Sequence, residues 1–130
     1  MSYLLDSSAI FKAIRTNRVD ALLGNYTIEL ARYELGNAIW KESTLRRRVT
    51  EEESERLIRL VKQALRVMEI LRTDCQEEEI LKMAEKLKLT FYDASYLFHA
   101  KTRNLTFITE DETMIKKASG HVKAMRFPPS

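Results

Sequence analysis

The apolar segments of this chain alternate between strand-like and helix-like periods along its length. Short apolar runs, such as residues 2–5, 26–28 and 105–108, are followed by stretches whose apolar side chains recur every three or four positions. Alternation of this kind is typical of a layered α/β fold with a parallel sheet. We therefore predict one α/β domain over residues 1–130.

Capping sequences mark where several of the helices begin. Residues 6–8, Asp-Ser-Ser, precede a first helix, and residues 30–44 have the apolar spacing of another. Residues 50–53 form a capping box, and residues 109–112 are predicted to be a second one that opens a helix through Ala118. A last short strand is predicted over residues 122–126.

The composition excludes several classes of protein. Hydrophobic residues make up 45% of the chain and charged residues 32%, which is typical of a globular protein rather than a disordered one. Cys75 has no second cysteine to pair with, and neither His99 nor His121 has the spacing of a zinc site. The first residues show no basic region followed by a long apolar run, so we expect no leader sequence, and no apolar run is long enough to cross a membrane. We expect a cytoplasmic protein.

Four carboxylates, Asp6, Glu34, Asp93 and Asp111, are predicted to lie near junctions between strands and helices. Each has a simpler explanation when taken alone. Asp6 could cap a helix, and Glu34 could face solvent. Asp93 and Asp111 could lie in the first turns of helices, where the helix dipole stabilises a carboxylate. Parallel strands, however, place ligands outside their carboxyl ends, and Asp6 and Asp111 each follow a strand at that edge. The set as a whole therefore predicts a shared site.

Carboxylates brought together in this way repel one another unless a cation neutralises them. A ligand set made only of oxygen atoms suits Mg²⁺ or Mn²⁺ rather than zinc or copper. Ser7 and Ser8 have no histidine at a recognisable spacing, and a chain with three glycines has no glycine-rich phosphate loop. A carboxylate-bound metal that activates water for phosphodiester hydrolysis fits these residues best.

Four segments together resemble the motifs of the PIN domain family, most closely its small stand-alone VapC-type toxins. They are residues 4–9, 33–41, 89–97 and 107–111. The resemblance implies a three-layer α/β/α fold with a central parallel sheet, endoribonuclease activity that depends on Mg²⁺ or Mn²⁺, and a homodimer. It also implies an antitoxin partner whose C-terminal segment occupies the active-site groove.

The same resemblance assigns roles to individual residues. Asp6, Glu34, Asp93 and Asp111 match the family's acidic quartet of catalytic, metal-binding residues. The resemblance also places a hydroxyl, Thr109, beside the metal, and Asn37 one helical turn beyond Glu34 is a further candidate for the pocket. Glu110 stands at a position that is commonly small in the family, and we predict that it points into solvent.

Several alternatives stay open at this point. A basic rim could hold a phosphate backbone or could be a solvated loop; its members are Arg15, Arg18, Lys41 and Arg46-Arg47-Arg48. Tyr96 lies on an aromatic stripe that is predicted to be core rather than a surface for stacking bases. The protein could also be an inert PIN-like module that binds nucleic acid or protein without cutting. A phosphorylated receiver domain is disfavoured, because the neighbour of Asp6 is Ser7 rather than a second acid.

Overall fold

The computed structural model describes residues 2–129. Five short strands and six α-helices follow one another along the chain, with a short 3₁₀ turn at Val19–Leu22 and a π-helical turn at Lys41–Leu45. In order they are β1 Tyr3–Leu5, α1 Ser7–Arg15, β2 Tyr26–Ile28, α2 Leu30–Trp40, α3 Glu51–Val67, β3 Glu69–Leu71, α4 Glu77–Leu87, α5 Phe91–Thr102, β4 Thr106–Ile108, α6 Glu112–Ala118 and β5 Ala124–Met125.

The five strands form one parallel sheet in the order β3-β2-β1-β4-β5. Helices α1, α2 and α3 contact one another on one face, and α4 packs against α5, which crosses β1 and β4 on the other. This arrangement is the predicted three-layer α/β/α sandwich. The order of the strands reverses between β1 and β4, and a switch of this kind opens a crevice at the carboxyl ends of the two strands.

The core lies between these layers and follows the predicted periods. Leu4, Leu5, Phe107 and Ile108, from the two central strands, are at most 2% exposed. Burying apolar side chains of this size contributes roughly 1.5–3 kcal/mol each, before the loss of chain entropy is counted. The two central strands are thereby held in fixed register, with Leu5 opposite Ile108 at the carboxyl edge.

Two local predictions about helices need correction, and one is confirmed. Thr50 and Glu53 form the predicted capping box, each side chain bonding to the other residue's backbone N–H. The proposed box at residues 109–112 is wrong, because α6 begins at Glu112 and is capped by Asp111. The helix predicted over residues 30–44 ends as an α-helix at Trp40 and continues as the π-helical turn.

Candidate active site

Asp6 stands at the carboxyl end of β1 and caps α1. Its Oδ1 accepts hydrogen bonds from the Ser8 hydroxyl at 2.6 Å and from the Ala9 backbone N–H at 3.0 Å. Its Oδ2 accepts a short hydrogen bond from the hydroxyl of Thr109, which follows β4. Burial raises the pKa of Asp6 to about 6, and the charge of Asp93 adds to the rise, while these three hydrogen bonds oppose it.

Hydroxyl groups join the ends of β1 and β4 across the crevice. Thr109, which is fully buried, donates to Asp6 and accepts from the Asp111 backbone N–H at 3.2 Å. Beyond the end of β1, Ser8 in α1 accepts a 2.9 Å hydrogen bond from the backbone N–H of Glu110. The Thr109–Asp6 and Glu110–Ser8 bonds connect residues about a hundred positions apart, and together with the Asp111–Thr109 bond they hold Asp6 and Asp111 near each other.

Glu34 lies on α2, one turn after the helix begins, and is half-buried. Its Oε1 accepts two hydrogen bonds, from the hydroxyl of Ser7 at 3.0 Å and from the hydroxyl of Tyr96 at 2.7 Å. Since Ser7 belongs to α1 and Tyr96 to α5, the two donors come from opposite faces of the sheet. They hold Glu34 at the crevice, so the alternative of a glutamate free in solvent does not apply.

The remaining two of the four acids, Asp93 and Asp111, lie at the starts of α5 and α6. Asp93 is the third residue of α5, where its backbone N–H donates to Thr90. Burial raises the pKa of Asp93, and the negative charges of Glu34 and Asp111 raise it further. Asp111 is exposed and caps α6, with its Oδ1 accepting from the backbone N–H groups of Thr113 and Met114.

Asp93 lies near the other three acids. The charges of Glu34 and Asp111 raise its pKa, and its own charge raises the pKa of Asp6. The fold thus brings all four predicted acids to one edge of the sheet. Within residues 2–129, however, no three side chains of histidine, cysteine, aspartate or glutamate stand close enough together to hold one metal ion as they are placed.

Comparisons with known proteins identify the family. The model of the PIN domain family matches residues 3–120. The chain belongs to the PIN domain family. It is also 33% identical over 129 positions to Exonuclease VapC9 of Pyrobaculum aerophilum, covering 94% of this chain and 90% of that protein. The crystal structure of PAE2754 from Pyrobaculum aerophilum superimposes with a TM-score of 0.78 at 30% identity, covering 95% of this chain and 92% of that one.

In this PIN domain, three polar side chains at the site were not expected from the sequence. Tyr96 was predicted as core and is 2% exposed, yet its hydroxyl is bonded to Glu34. Ser7 and Ser8 were considered as part of a helix cap and as nucleophiles, and their hydroxyls instead donate to Glu34 and Asp6. Spacing offered one signal, because Tyr96 lies one helical turn after Asp93 and so shares its face.

The prediction that Glu110 points into solvent is wrong. Its Oε1 lies 2.8 Å from the Lys12 ammonium, and its Oε2 accepts a 2.8 Å hydrogen bond from the backbone N–H of Phe127. Phe127 itself is 3% exposed. The Glu110 side chain is therefore a link between α1 and the C-terminal segment.

A groove of about 450 Å³ extends from Glu34 along α2. Ser7, Ser8 and Glu34 line one end, Asn37 and Lys41 line its side, and Arg46 with its partner Glu42 lines the other end. Asn37 thus lies where the resemblance suggested. The predicted basic rim is divided, because Arg15 stacks on the ring of Phe11 at 5.4 Å and Arg18 pairs with Asp20, whereas Lys41 and Arg46 line this groove.

Proposed function

We propose that this PIN domain protein is a metal-dependent ribonuclease that hydrolyses phosphodiester bonds in RNA. The observation that carries the proposal is the charge pattern at the carboxyl edge of β1 and β4. Asp93 is half-buried and faces the charges of Glu34 and Asp111, and Asp6 beside it is buried. Structural acids are seldom gathered in this way, because their repulsion opposes folding; a cation-binding site explains the arrangement.

The donor chemistry of these residues suits a divalent cation of the hard type, and a bound ion would draw the four carboxylates closer together than they stand in residues 2–129. All four candidates offer carboxylate oxygen, and no histidine or thiolate is bonded to them in residues 2–129. Glu34 and Asp111 accept their hydrogen bonds from the protein on one oxygen each, and Asp6 accepts them on both. These bonds fix each carboxylate while leaving further acceptor capacity for a cation. Mg²⁺ and Mn²⁺ prefer this donor set. We assign Asp6, Glu34, Asp93 and Asp111 as the metal-binding and catalytic residues.

The chain's own groups prepare this site for hydrolysis. When bound, the cation would lower the pKa of a coordinated water and would stabilise the negative charge that develops on the phosphate. Ser8 and Thr109 hold Asp6 in one orientation, and Ser7 and Tyr96 do the same for Glu34. Lys117 is near enough to lower the pKa of Asp93 in part, and so limits the repulsion among the acids.

Whether the nuclease cuts RNA internally or from an end is a separate part of the proposal. The resemblance to VapC-type toxins implies an endonuclease, while the relative from Pyrobaculum aerophilum carries the name of an exonuclease. The groove along α2 is open rather than a closed hole, which is compatible with internal cleavage. We therefore propose endonucleolytic cutting. A circular RNA tests it, because an exonuclease needs a free end.

The biological setting follows from the VapC resemblance and is also proposed. The protein would be the toxin of a toxin–antitoxin pair, would act in the cytoplasm and would form a homodimer. In residues 2–129 no helix is long and apolar enough to span a membrane. Light scattering on the purified chain measures its oligomeric state. Growth arrest on expression, relieved by a protein encoded beside it, would support the toxin role.

The experiment that tests the nuclease incubates the wild type and Asp93→Asn with single-stranded and structured RNA in the presence of Mn²⁺. We expect cleavage by the wild type and its loss in Asp93→Asn. Equal cleavage by both proteins would point to a contaminating nuclease. An absence of cleavage by either would favour the alternative function, an inert PIN-like module that binds nucleic acid or protein.

A further inference from the structure

The groove along α2 has a basic end that the four acids do not explain. We propose that this groove binds the backbone of an RNA strand next to the cleavage point, with Lys41 and Arg46 contacting its phosphates. The proposal rests on the ribonuclease function and deepens it, since it states where the substrate runs. It is carried by three observations: a buried anchor, a local excess of charge and a shared helical face.

The anchor is Glu42, which lies in the π-helical turn and is only 7% exposed. Its carboxylate accepts a 2.8 Å hydrogen bond from Arg46, and its backbone carbonyl accepts another 2.8 Å bond from the backbone N–H of Arg48. A buried carboxylate is costly unless it is paired, so these bonds hold the loop in one conformation. Arg46 uses one guanidinium nitrogen for Glu42 and keeps the others for a ligand.

The net charge of the chain is concentrated in the segment that supplies this end of the groove. Residues 41–48 hold four basic side chains and one acidic one, a net charge of +3. The whole chain also carries +3, so everything outside this segment is neutral on balance. A local excess of this kind is the electrostatic feature that attracts a phosphate backbone. Two of its basic side chains, Lys41 and Arg46, line the groove together with Glu42, to which Arg46 is bonded.

The helical spacing joins the basic end to the acids. Asn37 and Lys41 stand three and seven residues after Glu34, so all three share one face of the helix. Seven residues correspond to a rise of about 10 Å, a span that a short stretch of backbone can follow. Lys41 is exposed and forms no ion pair with any residue in the described part of the chain, 2–129. Its ammonium is available to a phosphate.

Binding of a fluorescent single-stranded RNA oligonucleotide, measured by anisotropy in EDTA at several salt concentrations, tests the groove without cleavage. Lys41→Gln and Arg46→Gln should each weaken binding roughly threefold or more at low salt, and each should reduce the salt slope by about 0.7, the value for one phosphate contact on a single strand. Arg103→Gln is the matched control, because it also removes one positive charge. Arg103 is exposed at the C-terminal end of α5, whereas Asp93 lies at the N-terminal end of that helix. Arg103→Gln should bind like the wild type.

Arg46→Gln also breaks the ion pair with Glu42, so one further variant and one comparison separate binding from folding. The further variant, Arg46→Lys, keeps the positive charge and should bind more tightly than Arg46→Gln. The comparison is with Lys41→Gln, which removes no ion pair within residues 2–129. Thermal midpoints of all variants identify any that unfold.

Equal affinities and salt slopes for the wild type, Lys41→Gln and Arg46→Gln would overturn the proposal, as would an absence of RNA binding by the wild type. Tighter binding of a poly-glutamate peptide at the same two residues would overturn it in favour of an acidic protein segment. RNA binding that depends on Lys41 and Arg46, without cleavage in Mn²⁺, would leave the groove standing and reject the nuclease. RNA cleavage in Mn²⁺, together with RNA binding that neither substitution weakens, would support the nuclease and reject the groove.

Discussion

The hydroxyl of Tyr96 donates a 2.7 Å hydrogen bond to Oε1 of Glu34, joining helices on opposite faces of the sheet across 62 positions of sequence. Burial, followed by this hydrogen bond, raises the pKa of Tyr96 far above its ordinary value, so the hydroxyl keeps its proton. It acts as a permanent donor. Together with Ser7, it fixes one oxygen of Glu34 and determines how the rest of the carboxylate faces the site.

Tyr96→Phe should therefore weaken metal binding without unfolding the protein. The ring is buried and packs near Phe107, with the ring centroids 6.5 Å apart, and a phenylalanine fills the same space. Removing the partner of a metal ligand typically costs about 10- to 100-fold in metal affinity. Calorimetric titration with Mn²⁺ measures the change. Tyr26→Phe, which alters a half-buried tyrosine on β2, is the control, and equal Mn²⁺ affinities in the two variants would contradict the role given to Tyr96.

Mg²⁺ or Mn²⁺ should raise the thermal midpoint of the wild-type protein, because a ligand bound only by the folded state stabilises it. At a concentration 100 times the Kd the gain is about 2.7 kcal/mol. Asp6→Asn should abolish the response, since Asp6 is the most deeply buried of the four acids. Differential scanning fluorimetry with and without millimolar metal is the measurement. No shift in the wild type would remove the metal site from the proposal.

In EDTA, Asp93→Asn should be more stable than the wild type at neutral pH. The substitution removes a half-buried charge that faces Glu34 and Asp111, at a gain of roughly 1 kcal/mol or less once solvent screening is considered. Its thermal midpoint should rise in EDTA and fail to rise further with Mn²⁺. Asp74→Asn is the opposite case, because Arg72 binds Asp74 and lowers its pKa. A lower midpoint for Asp93→Asn in EDTA would mean that the acids do not repel one another.

The sequence predicted the fold well because its information is local and periodic. Apolar repeats located β1, β2, β4 and β5 to within two or three residues, and the Thr50–Glu53 box lies wholly within one turn. The box proposed for residues 109–112 failed for the opposite reason. Thr109 donates instead to Asp6, which lies 103 positions away in sequence, and no local pattern encodes that partner.

The candidate site shows the same division between local and distant information. Its four acids were predictable because each belongs to a motif beside a strand or a helix start. Their orientation was not, since it depends on the partners Ser7, Ser8 and Tyr96, which carry chemistry that also suits a cap or a core. Glu110 is the clearest case, because its partner Phe127 lies on a different segment and could not be inferred from the capping pattern.

Glu110→Ala should lower stability and leave Mn²⁺ affinity unchanged. The loss removes the ion pair with Lys12 and leaves the backbone N–H of Phe127 without an acceptor, at a cost of about 1–3 kcal/mol. Chemical denaturation measures the cost, and Mn²⁺ titration measures the affinity. Glu112→Ala, which breaks an exposed pair with Arg126, should cost much less. A large fall in Mn²⁺ affinity for Glu110→Ala would instead place Glu110 among the metal ligands.

His99 should lower the stability of the protein as the pH drops below about 6.5, whereas Asp6 and Asp93, whose raised pKa values favour protonation in the folded state, act in the opposite direction. His99 is 3% exposed and lies 3.3 Å from the Thr73 hydroxyl; burial, and then the charge of Arg103, lower its pKa. At a pH below the pKa of His99 in the unfolded chain, the unfolded state binds a proton at this residue and the folded state does not. The free energy of unfolding then decreases by up to about 1.4 kcal/mol per pH unit until the folded pKa is reached. Urea denaturation of the wild type and His99→Gln between pH 5 and pH 8 isolates this contribution, with His121→Gln, a change of the second histidine, as the control. Identical pH dependence in all three proteins would show that His99 takes up its proton equally well in the folded state.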